Sequence, residues 1–295
     1  MPKKLINLIK FWNTEQRLFV EWGDKSSYHF YMMNGIRQGS LLSPFLYNFY
    51  VDSLSNVLNQ SGLGCCVGAD AVNNLSWADD LVVIAPSAHA LSQMMEICDE
   101  FAKDHLIIFN TKKTKCMLIN SHRTPIWRTP VVKLSGKRLD FVDEFKYLGH
   151  IISSDLSDNK DIQNQNKKLC ARGNFVIRKF KMCSNDIKCL LFKTFCYSIY
   201  GAALWSTFSA VVMNRLRVNY NNILRRLLNI PPWNSAREMF VNMRVRSFAE
   251  QRRVCCYSLM QRVQHSPNIL VQRVVHSDAQ TLSPLWNHWH SLLQR

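Results

Sequence analysis

The feature that most constrains this chain is a change of character between Ser153 and Asn159. Before it, short apolar and β-branched runs alternate with helix-period patterns. After Asp158 the strand signals stop and only 3.6-residue periodicity remains. Charge changes at the same place. Residues 1–159 hold 16 basic and 16 acidic residues, whereas residues 160–295 hold 21 and 5, so the net charge of +16 lies wholly in the second part. Mixed elements followed by helices predict an α+β region and then an all-α one. A basic surface of that size is the footprint of a polyanion partner, nucleic acid before anionic membrane. With 47% hydrophobic residues the chain can bury true cores, which excludes global disorder.

Local signals fill in the first part. Leu5, Ile6, Leu8, Ile9 and Trp12 predict a helix over 2–12, and Leu18–Trp22 and Tyr28–Met33 read as two strands. Ser43 and Pro44 open a helix whose apolar face is expected to be Leu46, Phe49, Tyr50, Leu54 and Leu58. Leu75–Ile84 reads as a hairpin carrying Ala78-Asp79-Asp80 at its tip, Leu91–Phe101 as a helix and Cys116–Ile119 as a strand. In the second part, Ser235 with Glu238 and Ser247 with Glu250 fit capping boxes. Thr194–Met213 is uncharged and reaches the length of a membrane span, but its tyrosines, serines and Gly201 suit a buried helix and turn, so no membrane partner is expected. The ten cysteines form no C-x-x-C pair and no signal peptide is visible, which points to a reduced, intracellular protein.

Chemistry concentrates in the tetrapeptide Trp77-Ala78-Asp79-Asp80. Adjacent carboxylates between apolar runs repel unless cations neutralise them, and hard oxygen ligands suit magnesium. Asn34-Gly35-Ile36-Arg37-Gln38-Gly39-Ser40-Leu41-Leu42-Ser43-Pro44, Asn110-Thr111-Lys112-Lys113-Thr114-Lys115 and Phe145-Lys146-Tyr147-Leu148-Gly149-His150 complete an ordered set. Gly39 would let backbone approach a ligand closely, and a helix N-terminus after Ser43 favours phosphate.

In that order and spacing the four segments resemble motifs B, C, D and the primer grip of non-LTR (LINE-type) retrotransposon reverse transcriptases. Leu191–Cys196 and Tyr200-Gly201-Ala202-Ala203-Leu204-Trp205 resemble their thumb. Trp77 departs from the Tyr or Phe usual before Ala-Asp-Asp.

The resemblance implies a right-hand polymerase: a partial palm over 1–119, a primer-grip β extension over 120–159 and a helical thumb with a basic C-terminal region over 160–295. It assigns Asp79 and Asp80 to metal binding, Lys113 (with Lys112 as rival) to the leaving pyrophosphate, and Gln38, Gly39, Ser43 and Pro44 to nucleotide and template. Tyr147, Leu148 and Gly149 fall to the primer. Mg2+, with Mn2+ as substitute, is the implied cofactor, and RNA template, DNA primer and deoxynucleoside triphosphates are the implied partners. A nuclear location follows if the chain serves a retroelement. The family's motif A, which supplies the first catalytic aspartate, and its fingers precede motif B. No acid here matches motif A, so the chain is expected to be inactive alone. The alternative expectation is a retroelement remnant that only binds nucleic acid without sequence preference.

Overall fold

The computed structural model describes residues 2–32, 35, 39–67, 70–120, 129–277 and 283–294. The chain forms two compact units, one of residues 1–65 with 71–107 and the other of residues 66–70 with 108–295. Helices and small two-stranded ladders are mixed, an α+β composition.

The first unit begins with α1 (Lys3–Thr14), none of whose residues is buried. Strands β1 (Arg17–Leu18), β2 (Glu21–Trp22), β3 (Lys25–Ser26) and β4 (Phe30–Tyr31) make two nested antiparallel pairs. The run Leu18–Trp22 is therefore not one strand. The ladder breaks where the Val20 N–H donates to the Ser27 hydroxyl at 2.9 Å. Next comes α2 (Ser43–Gln60), with Pro44 in its first turn, where a missing N–H costs nothing. Its buried residues are Ser43, Leu54 and Leu58, while Phe49 is 86% exposed. The expected face was right at Leu54 and Leu58 but was centred about a sixth of a turn away from the true one, because at about 100° per residue Phe49 points nearly opposite to Leu58. After the short strands β5 (Cys66–Val67), which belongs to the second unit, and β6 (Asp70–Ala71), the first unit continues with β7 (Asn74–Trp77), β8 (Asp80–Val83) and α3 (Ala88–Asp104). Helix α3 starts at Ser87, whose hydroxyl accepts the Ala90 N–H, and buries Met94, Met95, Cys98, Phe101 and Ala102.

The second unit opens with β9 (Lys115–Cys116), β10 (Lys133–Leu134), β11 (Lys137–Arg138), β12 (Asp140–Phe141), β13 (Glu144–Tyr147) and β14 (His150–Ser153). β9 pairs parallel with β12, and the pairs β10–β11 and β13–β14 are antiparallel. The strand expected over Cys116–Ile119 shrinks to Lys115–Cys116 because its partner is only two residues long. The rest is helical: α4 (Asn159–Lys179), α5 (Asn185–Cys196), α6 (Ala210–Leu228), α7 (Ala236–Asn242), α8 (Phe248–Gln264), α9 (Ile269–His276) and α10 (Pro284–Leu293). Ser247 and Glu250 close a full capping box, whereas at α7 only the Ser235 hydroxyl caps. The uncharged run Thr194–Met213 is the end of α5, a series of turns and the start of α6. Among the described residues no helix is long and apolar enough to cross a membrane.

Ile162, Leu169 and Val176 of α4, Phe192 of α5, and Leu216, Tyr220, Ile223 and Leu224 of α6 form the core of this unit. Each such side chain contributes about 1.5–3 kcal/mol of burial free energy. A satellite cluster joins Cys256 and Trp289, whose indole N–H donates to the Ala203 carbonyl at 2.6 Å. Helices α4 and α6 approach closely at Gly173, where an added Cβ would lie 2.7 Å from two Ile223 carbons. Gly173→Val should lower unfolding free energy by about 2 kcal/mol through overpacking. In Gly173→Ala the strain should be partly offset by about 0.5–1 kcal/mol of helix propensity. Urea unfolding of both variants checks this, and a neutral Gly173→Val would mean that the helices separate freely there.

Candidate nucleotidyl-transfer site

In the first unit Asp79 and Asp80 stand exposed on the β7–β8 hairpin. The register pairs Trp77 with Asp80, so the turn proper is Ala78-Asp79 and Asp80 begins the return strand. This corrects the expectation that all three residues form the tip. Ala78 has φ 52°, a left-handed conformation that gives the two-residue turn its twist. The hairpin's base is tied to α2 by Asn73, fully buried, whose amide donates to the carbonyls of Leu58 and Leu63, each at 2.8 Å. Gly64 permits this packing, since a side chain there would collide with the Asn73 Cβ. On α2, burial first and the Asp79 charge second raise the Tyr47 phenol above its usual range.

Of the motif B residues, Gln38 lies outside the described residues. Gly39 has φ 81° with open space around it, so glycine is required by conformation rather than by close approach. Ser43 is buried at the first turn of α2, and Pro44 beside it is exposed. Gly39, Ser40 and Ser43 line a cavity of about 700 Å³ together with Trp12, Gln16 and Arg17. Among the described residues no group of three His, Cys, Asp or Glu side chains could hold a metal ion.

In the second unit, Lys112 and Lys113 are exposed on the turn after Asn110, whose carbonyl and side-chain oxygen both accept the Lys113 N–H. Lys115 is committed elsewhere, bonding Asp140 at 2.6 Å; that bond holds the Asp140 carboxyl below its usual range. The β13–β14 hairpin turns on Leu148 (φ 44°) and Gly149 (φ 86°), with half-buried Tyr147 before them.

Behind this turn lies a polar cluster that the motifs did not reveal. Asp161, in the first turn of α4, has a side chain with no exposure. Its carboxylate accepts from the Trp205 indole N–H at 2.9 Å and from the Ile151 amide at 3.1 Å, and His150 Nδ1 stands 3.1 Å away, off the line of a well-directed hydrogen bond. Asp158 accepts the amides of Ser206 and Thr207 at 2.7 and 2.8 Å instead of capping its own helix. The Tyr200 hydroxyl donates to the Leu148 carbonyl at 2.6 Å. Asp161 had one legible signal, being an acid in a segment with almost none, whereas the pairing of His150 with it had no sequence signature. The Asp161 carboxylate raises the His150 pKa against the opposing effect of burial, with Asp158 adding to the rise. Burial pushes Asp161 up, but His150, Trp205 and the Ile151 amide together hold it below its usual range.

Exposed on α4 and α6 lie Lys167, Lys168, Arg178, Arg215, Arg217 and Arg226, the last donating to the Asn174 side chain of α4 at 3.3 Å. Their long stems can lie on the helix surface while their charges face water.

Residues 2–152 match the family described as reverse transcriptase (RNA-dependent DNA polymerase). The chain is 24% identical over 301 residues to the RNA-directed DNA polymerase from mobile element jockey of Drosophila funebris, covering 96% of this chain and 31% of that protein. Its counterpart in Drosophila melanogaster is 23% identical, covering 95% and 32%. The retrovirus-related Pol polyprotein from type-1 retrotransposable element R2 of Popillia japonica is 30% identical over 122 residues, 39% of this chain and 17% of that one. The chain spans about a third of the length of the jockey polymerases it matches.

The His150–Asp161 pair sets a pH dependence. A histidine with a raised folded pKa stabilises fully below its unfolded value of 6.5 and loses that contribution as pH climbs through the folded value. Asp161 contributes above 3.8 and loses its share as pH falls through its lowered value. Urea unfolding should therefore show stability declining above pH 6.5, and the decline should be smaller in His150→Gln. Taking the difference between the two proteins removes the other histidines. Parallel profiles would mean that His150 is uncoupled from Asp161.

Proposed function

The chain belongs to the reverse transcriptase (RNA-dependent DNA polymerase) family, and we propose that it carries the metal-binding hairpin, primer grip and thumb of a non-LTR retrotransposon enzyme that copies RNA into DNA. The observation that carries this reading is the exposed Asp79-Asp80 pair on a hairpin whose base is locked to α2 by buried Asn73. In the reaction, a primer 3′-oxygen bonds to the α-phosphorus of a deoxynucleoside triphosphate, and pyrophosphate leaves. Asp79 and Asp80 are the residues that would hold magnesium, which when bound neutralises phosphate charge and acidifies the attacking hydroxyl. Two carboxylates suit that hard cation but leave most of its shell to water. Lys113, free of the ion pair that occupies Lys115, would protonate the departing pyrophosphate. Gln38, Gly39, Ser43 and Pro44 would face nucleotide and template, and Tyr147, Leu148 and Gly149 the primer. The basic faces of α4 and α6 would follow the template–primer backbone. The palm and thumb assignments, nuclear work on RNA and DNA, and dependence on a further carboxylate outside this donor set all belong to the same proposal.

Three measurements test it. Manganese should broaden magnetic resonance lines of residues beside Trp77 only weakly in the chain as it stands, and not at all in Asp79→Asn/Asp80→Asn. Broadening that persists in the double variant would place the ion elsewhere. Binding to an RNA–DNA duplex should weaken steeply with salt, the slope in log units being roughly −0.9 per neutralised phosphate on duplex DNA. A flat titration would remove the thumb reading. In primer extension with magnesium, the 295-residue chain alone should be inert. A chimera carrying it in place of the corresponding jockey segment should extend the primer, and Asp79→Asn should reduce the rate by orders of magnitude, since phosphoryl transfer rests on placement and charge stabilisation. Extension by the chimera that ignores Asp79 would overturn the site.

A further inference from the structure

The turn assigned to the primer is itself held from behind by groups with no role in that assignment. In a two-residue hairpin turn the amides of both turn residues lie outside the ladder, so the outward donors of this one are the N–H groups of Leu148 and Gly149. The Leu148 carbonyl points the other way and is taken by the Tyr200 hydroxyl at 2.6 Å. The Tyr200 ring fills the space beside Gly149, where an added Cβ would come within 3.2 Å of it. One residue later, Gly201 (φ 77°) brings its backbone so near that a Cβ would sit 2.8 Å from His150 Nδ1 and 3.2 Å from Asp161 Oδ2. Trp205 closes the set from the same segment by donating to Asp161. The stretch 200–205 thus grips the turn on its carbonyl side and leaves its amide side free to meet a phosphodiester.

We propose that Tyr200, backed by the His150–Asp161–Trp205 cluster, is a positioning residue that fixes the orientation of the Leu148-Gly149 turn toward the backbone of a recessed primer end. The inference rests on the primer-grip reading of that turn. Leu148 is a non-glycine residue with positive φ, a conformation that needs outside support, and the hydroxyl of Tyr200 supplies it. Trp205 and Asp161 are buried and cannot touch a ligand themselves, so whatever they contribute passes through His150 and the segment 200–205.

The test uses the 295-residue chain and two ligands: an RNA–DNA duplex with a recessed 3′ end, and a single-stranded RNA of equal length. Tyr200→Phe removes one oxygen from a side chain that is 54% exposed, so folding should survive, as thermal unfolding would verify. Affinity for the recessed end, read by fluorescence anisotropy at fixed salt, should fall about fivefold for the loss of one hydrogen bond to the turn. Affinity for the single strand should be unchanged. Asp161→Asn should produce the same selective loss, and the double variant should lose less than the product of the two single losses, because both act through one turn. Equal weakening of both ligands, or no weakening of either by Tyr200→Phe, would overturn the inference. A parent chain that shows no preference for the recessed end would overturn the primer-grip reading instead, and the inference with it.

Discussion

The second unit depends on how it neutralises the carboxylate of Asp161. An aspartate with no solvent exposure can stay charged only if the protein replaces the water it has lost, and breaking one partner of a buried charge costs about 3–5 kcal/mol. Two N–H donors bond it, the Trp205 indole from the turns before α6 and the Ile151 amide from β14, and the His150 ring, also of β14, stands 3.1 Å away. Satisfying one charge therefore draws β14, α4 and the segment 200–205 to a single point. Asp158 repeats the device one turn earlier through the amides of Ser206 and Thr207. The apolar core of α4, α5 and α6 would hold helices together in many relative orientations. These directed bonds select the one in which the hairpin meets the bundle.

The acids of the first unit obey the opposite rule. Asp79 and Asp80 are exposed, and the rigidity lies beneath them, in Asn73 and its two carbonyl acceptors. Burial thus sets the two pairs apart: Asp158 and Asp161 are bonded by donors of the protein, whereas Asp79 and Asp80 stay open to solvent.

Much of this was legible in the sequence. The switch near Ser153–Asn159 marks the last strand and the first long helix, because periodicity and charge change together there. The Asp-Asp hairpin declared itself by residue type, whereas Leu148 and Gly149 were picked out only by the family resemblance. Other features were not legible. The face of α2 was misjudged because its sequence is apolar on more than one side, and composition cannot say which side is covered. The run Leu18–Trp22 broke into two strands because one serine hydroxyl replaced a backbone acceptor. Tyr200, Gly201 and Trp205 were visible only as a shared pattern. Their reasons lie in contacts across about fifty residues, with Leu148, His150 and Asp161, which no local spacing encodes.

Both site hairpins place a residue other than glycine in the left-handed region, Ala78 at φ 52° and Leu148 at φ 44°. Each costs on the order of 1 kcal/mol, and such a conformation persists only where its surroundings determine it. A flexible turn would have avoided the cost but would have let the carboxylates or amides wander. Here the support comes from outside each turn: Asn73 under the base of one, Tyr200 behind the carbonyl of the other. The β10–β11 turn makes the contrast, since it also runs through two left-handed residues, Ser135 and Gly136, and open space surrounds its glycine. Gly149 by comparison is packed against an aromatic ring. Similar backbone conformations therefore differ in what lies beside their glycine, open space at Gly136 and the Tyr200 ring at Gly149.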